Sequence, residues 1–412
     1  MDAECSKPPA GSEMTRRVCV IAKYPYPNET RLRQQARALA DAGFCVDVLC
    51  LRFAGQAAVE RSGNIEVHRL MLPGSKESLG KYARQTLGFF LKVLGRLLSL
   101  SWRRRYDAVV AHTLPELLVV SGLAHRLLGR AVFLDIRDLS LELFESKWGQ
   151  SALRRLRPFF RAMEWFSCVC ARHVIVASPG FEQRLIQRGV NPDKLTVIYN
   201  SADVRVFPLW EGRAFHRIEN NARLLYHGTV AKRFGLQVAI EAMPAVCREI
   251  PGSELHVYGI LRGGIREHLD RQIHDLGLDK AVCFHECVTL ERINEVFREM
   301  DMEVVPYLSD DFMNLAFSTK MFECASAGLP IVASRLQPAQ WVFDDECVEY
   351  AAPGDAADFA AKIVGLCRNP ERRRQMVRKA HASHERVSSD VMERRCAELF
   401  QRLTGSRQRV NV

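Results

Sequence analysis

Residues 310–334 read DDFMNLAFSTKMFECASAGLPIVAS. An apolar segment ends at Pro306 just before this stretch, polar residues follow, a helical pattern begins near Ser318, and a second apolar segment covers residues 330–333. A strand, a loop, a helix and another strand in this order are typical of a parallel sheet covered by helices. The first turn of such a helix offers free backbone N–H groups and the positive end of the helix dipole, which together suit a diphosphate.

Two charged residues near this helix start extend the hypothesis. Lys320 would add a full positive charge beside a diphosphate, and Glu323, one turn further, could accept hydrogen bonds from both hydroxyls of a ribose. The same residues also fit a helix start without any ligand. A glutamate is favourable near a helix N-terminus in its own right, and Lys320 could be an ordinary surface residue.

The same alternation of strands and helices runs through both halves of the chain. In the first half, short apolar segments predict strands at residues 17–22, 46–51, 65–70, 107–111, 131–136, 173–177 and 195–199. In the second half, they predict strands at residues 223–227, 254–259, 281–285, 302–306, 330–333 and 348–350. We therefore predict an α/β fold class with two Rossmann-like parallel-sheet domains facing a central cleft, where the carboxyl ends of the strands bind ligands.

The length of 412 residues suits two domains. A polar, irregular stretch at 204–221 separates the halves, so we place the N-terminal domain at 15–205 and the C-terminal domain at 206–385. Residues 1–14 are predicted to be a disordered lead-in, and residues 386–412 a helix that packs back toward the N-terminal domain.

Composition narrows the choice of partners and compartment. The 58 Lys and Arg exceed the 48 Asp and Glu, and this excess suits an anionic ligand or membrane surface; nucleic acid is not expected, because no recognition motif accompanies the cations. The thirteen cysteines are scattered through apolar segments, which predicts reduced thiols and a cytoplasmic protein. Neither Cys168–Cys170 nor Cys283, His285 and Cys287 has a second half at zinc spacing, so we expect no metal and no other cofactor.

Several motifs resemble one enzyme family. The segment KMFECASAGLPIVAS at 320–334 resembles the stretch after the donor loop of family-4 glycosyltransferases, typically K-L-F-E-Y-M-A-A-G-L-P-V-V. YDAVVAHT at 106–113, ARHVIVASPGFEQRL at 171–185 and YHGTVAKRFGLQVAIEAM at 226–243 resemble further motifs of that family in the same order. The resemblance covers nearly the whole chain and implies a GT-B fold. It also implies transfer of a sugar, with retention of configuration, from a nucleotide-sugar donor to a glycan, lipid-linked or small-molecule acceptor, in polysaccharide or glycoconjugate biosynthesis.

The resemblance assigns roles on the donor side. It makes Glu323 the ribose-binding glutamate and places Arg233 and Lys320 on the diphosphate, where they would catalyse departure of the leaving group, with Lys232 as a second cation. Backbone atoms in three turns, including free N–H groups of Asn314–Phe317, are expected to complete the donor site. The residues concerned are Gly259, Glu286, Val288, Asn314, Leu315 and Ala316. Leu315 stands where the family often has a first glutamate.

The N-terminal domain departs from the family in two places. Where the family often has His-Asp, this chain has Arg137–Asp138. The resemblance keeps Asp138 as a candidate catalytic residue, whereas Arg137 cannot act as a base because its guanidinium stays protonated. It could hold a phosphate or carboxylate on the acceptor side, as could Arg31 in the glycine-poor first loop. His112, at the end of a neighbouring strand, is the candidate for proton transfer, although a histidine in this position is often structural.

Two basic, apolar segments, 79–105 and 154–166, suggest a membrane surface. The first contains no acid and seven cations: Lys81, Arg84, Lys92, Arg96, Arg103, Arg104 and Arg105. A basic amphipathic helix can lie on an anionic bilayer, here the inner face of the cell membrane, or it can pack its apolar face on the sheet.

Two other functions stay open: a GT-B nucleotide-sugar epimerase, and an inactive homologue acting as a scaffold, for which Leu315 and Arg137 are the only support.

Overall fold

The computed structural model describes residues 16–71, 79–149, 151, 154–262 and 264–405, so the predicted lead-in lies outside the described residues. The N-terminal sheet has eight strands in the order β3-β4-β2-β1-β5-β6-β7-β8. Its strands are β1 Arg17–Pro25, β2 Cys45–Arg52, β3 Val59–Ser62, β4 Ile65–Met71, β5 Ala108–His112, β6 Ala131–Ile136, β7 His173–Val176 and β8 Leu195–Val197. All neighbours are parallel except β3 and β4, which form an antiparallel pair at the edge.

Helices cover both faces of this sheet. They are α1 Thr30–Asp41, α2 Leu79–Arg103, a 3-10 helix Glu116–Gly122, α3 Leu123–Leu127, α4 Ser140–Trp148, α5 Arg157–Cys170 and α6 Pro179–Gln187. The sequence predicts one helix at 115–128, and the structure divides it into the 3-10 helix and α3. The sequence predicts another helix at 151–171, whereas α5 begins only at Arg157 and is preceded by the unpredicted helix α4.

The C-terminal sheet has six parallel strands in the order β11-β10-β9-β12-β13-β14. The strands are β9 Arg223–His227, β10 Glu254–Tyr258, β11 Val282–His285, β12 Met302–Val305, β13 Ile331–Ser334 and β14 Glu349–Ala351. The helices are α7 Leu236–Glu249, α8 Arg266–Asp275, α9 Leu290–Glu299, α10 Thr319–Ala327, α11 Gln337–Gln340, α12 Ala356–Arg368, α13 Pro370–Glu385 and α14 Ser389–Gly405. The predicted fold class is confirmed.

The last helix belongs to the core of the first domain. Helix α14, within the segment predicted to pack back, buries Met392, Cys396, Leu399 and Phe400 against the N-terminal core. The ring of Phe400 stacks on Phe133 of β6 at a centroid distance of 4.1 Å. The chain therefore crosses between the domains twice.

The loop before α10 joins the two domains on one side of the cleft. The hydroxyl of Ser178, at the start of α6, donates to the carbonyl oxygen of Leu315 at 2.6 Å. Ser146 donates to the carboxylate of Asp310 at 2.6 Å. Hydrogen bonds at Asp310 and Leu315 fix this loop of the C-terminal domain against the N-terminal domain.

Helix α2 buries one face and exposes another. Phe89, Val93 and Leu97 are fully buried in the N-terminal core. Two of the seven cations of the segment 79–105 face inward: Arg104 pairs with Asp47 and Glu66 at 2.7 and 2.8 Å, and the Nη2 atom of Arg96 lies 3.0 Å from Nδ1 of His68. The side chain of Lys81 lies outside the described residues. Among the described helices, none is long and apolar enough to cross a membrane.

Candidate active site

The carboxyl ends of β9 and β10 meet the start of α10 at the cleft. Gly228 follows β9 and Gly259 follows β10, and the two backbones approach so closely that a Cβ atom on Gly259 would lie 2.1 Å from the carbonyl oxygen of Gly228. A Cβ atom on Gly228, whose φ is +97°, would lie 2.9 Å from Cε of Lys320. Gly259 is therefore needed for packing, and its contact with a nucleotide base stays a prediction.

Lys320 occupies the first turn of α10 and is only 6% exposed. Its ammonium lies 3.8 Å from the ring centroid of Tyr226 and has no hydrogen-bond acceptor among the described residues. Burial lowers the pKa of Lys320 to about 8, although the carboxylates of Glu303 and Glu323 act to raise it. A buried ammonium without an acceptor is costly, and it suits a site that an anionic ligand completes.

Glu323 lies one turn further along α10 and is held by a histidine that our sequence analysis missed. Its Oε2 atom accepts a hydrogen bond from Nε2 of His227 at 2.7 Å. Nδ1 of His227 lies 3.0 Å from Oε1 of Glu303 on β12. Burial alone would lower the pKa of His227, but the two carboxylates raise it to about 9. The sequence contains one signal of this buried histidine contact, which is Glu303, because a carboxylate inside an apolar strand needs a partner.

Arg233 lies in the turn Lys232–Phe234 after β9, with its guanidinium 4.6 Å from the ring centroid of Phe234. Burial lowers the pKa of Arg233, and the nearby carboxylates of Asp310 and Asp138 act to raise it. Asp138 belongs to the N-terminal domain, so these two predicted catalytic residues interact electrostatically across the cleft. Lys232, in contrast, is exposed.

A cavity of about 250 Å³ opens on the N-terminal side of the cleft. Its lining residues are Tyr24, Glu29, Arg31, Arg137, Asp138, Ala177 and Asn200. Arg137 forms an ion pair with Glu29 and lies 4.5 Å from the ring centroid of Tyr24. Burial raises the pKa of Asp138, against the lowering effect of Arg137. Arg137 and Asp138 thus line the same cavity, and their predicted roles in acceptor binding and catalysis stay predictions.

Two residues predicted for the cleft are engaged inside the N-terminal domain. His112 is fully buried, its Nε2 atom lies 2.7 Å from Oε1 of Gln35, and burial lowers its pKa to about 4. It is enclosed and neutral at pH 7, so the geometry does not fit proton transfer with a substrate. Arg31 pairs with Asp135 at 2.7 Å and donates to the carbonyl oxygen of Ile198, which leaves it a structural role at the cavity edge.

The predicted use of backbone N–H groups at Asn314–Phe317 is wrong for three of the four residues. The N–H of Asn314 donates to the carbonyl of Asp310, and those of Leu315 and Ala316 donate to the carbonyl of Phe312, at 2.9–3.0 Å. The loop closes on itself in a tight turn, so these donors are not available to a sugar or diphosphate.

The ends of β10 and β11 carry an aromatic pair. The rings of Tyr258 and His285, at the ends of β10 and β11, stack at 4.2 Å with an angle of 9°. Glu286 and Val288 follow directly, and their contact with a base stays a prediction.

Two clusters of candidate metal ligands occur in the described part of the chain. They are His227, Glu303 and Cys324, and Asp47, Glu66 and His68. Lys320 stands beside the first cluster, and Arg104 pairs with both acids of the second. Because a basic side chain already balances the acids of each cluster, neither fits a metal cation well. The twelve cysteines of the described residues are all free.

Comparison with known proteins identifies the family. Residues 29–201 match the family model described as a glycosyl transferase 4-like domain, and residues 221–369 match that of glycosyl transferases group 1. The chain belongs to the family-4-like glycosyltransferases with a GT-B fold.

Individual relatives agree with this assignment. The chain is 24% identical over 376 residues to a D-inositol 3-phosphate glycosyltransferase of Paenarthrobacter aurescens, covering 86% of this chain and 87% of that protein. It is 26% identical over 246 residues to a protein of the same description from Corynebacterium kroppenstedtii, covering 56% of this chain but only 53% of that protein.

Solved structures share the fold. Sucrose-phosphate synthase from Thermosynechococcus elongatus superposes with a TM-score of 0.77 at 17% identity, covering 95% of this chain and 99% of that chain. Anabaena HepE in complex with UDP-glucose superposes with a TM-score of 0.68 at 17% identity, covering 94% of this chain and 99% of that one.

Proposed function

We propose that this glycosyltransferase binds a nucleotide-sugar donor at the start of α10 and transfers the sugar, with retention of configuration, to an acceptor hydroxyl in the facing cavity. The observation that carries the proposal is the buried ammonium of Lys320, which has no acceptor among the described residues although the carboxylate of Glu323 acts on it. A diphosphate would supply the missing acceptor, and the free oxygen of Glu323 would accept from the ribose.

The chemistry assigned to these side chains is electrostatic. As the bond between the sugar and the diphosphate breaks, negative charge accumulates on the leaving phosphate oxygens. Lys320 and Arg233 would stabilise that charge more in the transition state than in the ground state, which is what accelerates the step. Two fixed cations can replace a divalent metal in this role, so we propose a metal-independent reaction.

The charges around the cavity favour an uncharged acceptor group. Arg137 is paired with Glu29, and Arg31 with Asp135, so neither cation is left over for a phosphate. Paired charges together with Tyr24 and Asn200 offer donors and acceptors to sugar hydroxyls. The acceptor would be a glycan, a lipid-linked saccharide or a small polyol in polysaccharide or glycoconjugate biosynthesis.

The test is a donor panel. The protein is incubated with UDP-, GDP-, ADP- and dTDP-sugars and a mixture of saccharide acceptors, and mass spectrometry records release of the nucleoside diphosphate and gain of a sugar. We expect turnover of one donor class with the anomeric configuration retained in the product, as read by proton NMR. A changed sugar without release of diphosphate would indicate the epimerase instead, and nucleotide binding without turnover of any donor would indicate the scaffold.

A specific surface favours a second function, peripheral docking on an anionic membrane. Helices α2 and α5 pack in the same core against the 3-10 helix between them, so their outer faces lie on one side of the N-terminal domain. Those faces expose Leu87, Leu91, Leu98, Trp102, Phe159, Trp165, Phe166 and Val169. Trp102 alone is 93% exposed.

Among the described residues of α2 and α5, the exposed charges around this apolar surface are positive. Arg84, Arg103, Arg105, Arg155 and Arg161 are exposed beside it, whereas Glu164, the acid of α5, is buried against Arg188. Exposed aromatic and aliphatic side chains bordered by arginines fit the interface of an anionic bilayer. We propose that this face docks the enzyme on the inner face of the cell membrane, next to a lipid-linked acceptor.

Vesicle co-sedimentation tests the docking. The variant replaces three exposed arginines of α2 and its C-terminal end by glutamine: Arg84, Arg103 and Arg105. The matched control makes the same change in charge on the C-terminal domain, at Arg262, Arg271 and Arg298, which are also exposed. Each cation near the surface contributes about 1 kcal/mol, so the first variant is expected to lose about a hundredfold in vesicle affinity and the control to bind like wild type. Wild-type protein that stays in the supernatant with anionic vesicles at low salt would rule the docking out.

A further inference from the structure

We propose that His227 is a positioning residue that fixes the carboxylate of Glu323 toward the donor ribose and keeps it away from Lys320. The inference rests on the proposed function, because it assigns a role around the same donor site.

The imidazole of His227 is fixed from three elements. Its Nε2 atom donates to Oε2 of Glu323 on α10 at 2.7 Å. Its Nδ1 atom lies 3.0 Å from Oε1 of Glu303 on β12, and the backbone N–H of His227 also donates to that oxygen at 3.1 Å. Phe297 of α9 packs edge-on against the ring at 5.2 Å. The ring is buried, so it has little freedom to turn.

The position of Glu323 must be fixed because Lys320 lies close enough on the same helix to pair with it. The two residues are three apart on α10, a spacing at which a lysine and a glutamate on one helix readily form an ion pair. Such a pair would occupy both the ammonium needed for the diphosphate and the carboxylate needed for the ribose. The hydrogen bond from His227 holds one carboxylate oxygen of Glu323, and the ammonium of Lys320 is left without an acceptor among the described residues.

The charges in the cluster balance. The charged groups that face the imidazole are Glu303 from β12 and Glu323 from α10, and Lys320 lies beside both acids. A protonated His227 and a protonated Lys320 match the two carboxylates, so the buried cluster has no net charge. The attraction of His227 to both carboxylates outweighs the cost of its burial, whereas burial of Lys320 costs more than its attraction to the two acids returns.

Two variants of His227 separate its two contacts. In His227→Gln the amide nitrogen can take the place of Nε2 and still donate to Glu323. In His227→Asn it takes the place of Nδ1, so the contact with Glu303 is kept and the one with Glu323 is lost. Both substitutions remove the same imidazole and introduce the same amide, which makes them matched controls for each other.

The readout is the preference for an intact ribose. Calorimetric titrations with UDP, ADP and GDP, each beside its 2′,3′-dideoxy analogue, give that preference as a ratio of affinities. A positioned carboxylate is expected to give wild type about a tenfold preference or more for the ribose form. We expect His227→Gln to keep most of this preference and the wild-type affinity for the dideoxy analogues. His227→Asn is expected to lose the preference and also to bind the dideoxy analogues more weakly, because Glu323 can then pair with the ammonium of Lys320 that the diphosphate needs.

Glu323→Ala distinguishes failure of this inference from failure of the proposed function. If Glu323→Ala abolishes the preference while His227→Asn keeps it, His227 does not position Glu323 and the inference is overturned, although the ribose assignment stands. If Glu323→Ala keeps the wild-type preference, the ribose assignment itself is wrong. Should His227→Asn not fold, as judged by its melting transition, Glu303→Gln replaces it. The neutral amide holds the imidazole less firmly, so a reduced preference supports the inference and an unchanged one overturns it.

Discussion

Replacing Lys320 by methionine is expected to stabilise the ligand-free protein while weakening donor binding. The ammonium is buried, and its pKa falls from 10.5 to about 8. Since the folded pKa lies below the unfolded one, the protonated lysine opposes folding fully below pH 8, and this cost disappears as the pH rises above 10.5. A shift of this size corresponds to about 3 kcal/mol at neutral pH. Methionine has a similar length and no charge, so the melting temperature at pH 7 is expected to rise by several degrees in calorimetry.

The same change removes a cation from the proposed donor site. In wild type, nucleotide-sugar affinity is expected to fall about tenfold between pH 7 and 9, because a group with a pKa near 8 loses the proton that the diphosphate needs. In Lys320→Met, affinity at pH 7 is lower and this part of the pH dependence is absent. Titration calorimetry at several pH values measures the affinity and its pH dependence for both proteins. Protonation of the ligand itself affects wild type and Lys320→Met equally, so it cancels when the two are compared.

Lys232→Met is the matched control, because the neighbouring lysine is exposed and carries the same charge. It should change neither the melting temperature nor the pH dependence appreciably. A Lys320→Met protein that melts lower than wild type and binds the donor equally well would refute the reasoning. Lys320 would then be a structural cation of the Glu303 and Glu323 cluster.

Three other predictions follow from the same geometry. Arg233→Ala should lower kcat by about a hundredfold and donor affinity much less, because charge accumulates on the diphosphate in the transition state; steady-state kinetics that show lost binding and intact kcat would contradict this. Gly180→Ala should destabilise the interdomain contact, since its Cβ would lie 2.6 Å from the Trp341 ring and 2.8 Å from the carbonyl oxygen of Leu315; a lower melting temperature and kcat with intact nucleotide affinity are expected. Chelation with EDTA should leave sugar transfer unchanged, and activity restored only by Mg²⁺ or Mn²⁺ would contradict the assignment of Lys320 and Arg233.

Strand positions were the part of the fold most open to prediction. Segments such as residues 131–136 are buried on both faces of a parallel sheet, so their apolar residues run continuously and are visible in the sequence. Strand β3 is the opposite case, because all its residues are exposed at the sheet edge and nothing in Val59–Ser62 is apolar enough to mark it. Helix α4 was missed because its nine residues mix buried acids with leucines and give no clear amphipathic period.

Side-chain partners were harder to predict than side-chain positions. Lys320 and Glu323 could be assigned to the site from their place at a helix start, but the contact of Glu323 with His227 joins residues 96 apart in the chain. In the sequence, Arg104 is the second of three consecutive arginines, a pattern typical of a surface. In the structure it forms ion pairs with Asp47 and Glu66. The sequence does not show that the backbone N–H groups of the loop before α10 donate to carbonyl oxygens of the same loop. The local sequence pattern does not reveal which charged residues pair with partners far away in the chain.

A crystal structure with a nucleoside diphosphate bound tests the central claim most directly. The account predicts a diphosphate within hydrogen-bond distance of the Lys320 ammonium and the Arg233 guanidinium, and ribose hydroxyls on the oxygen of Glu323 that His227 leaves free. A nucleotide bound elsewhere, or a Lys320 ammonium that stays against Tyr226 with no phosphate oxygen in reach, would contradict it.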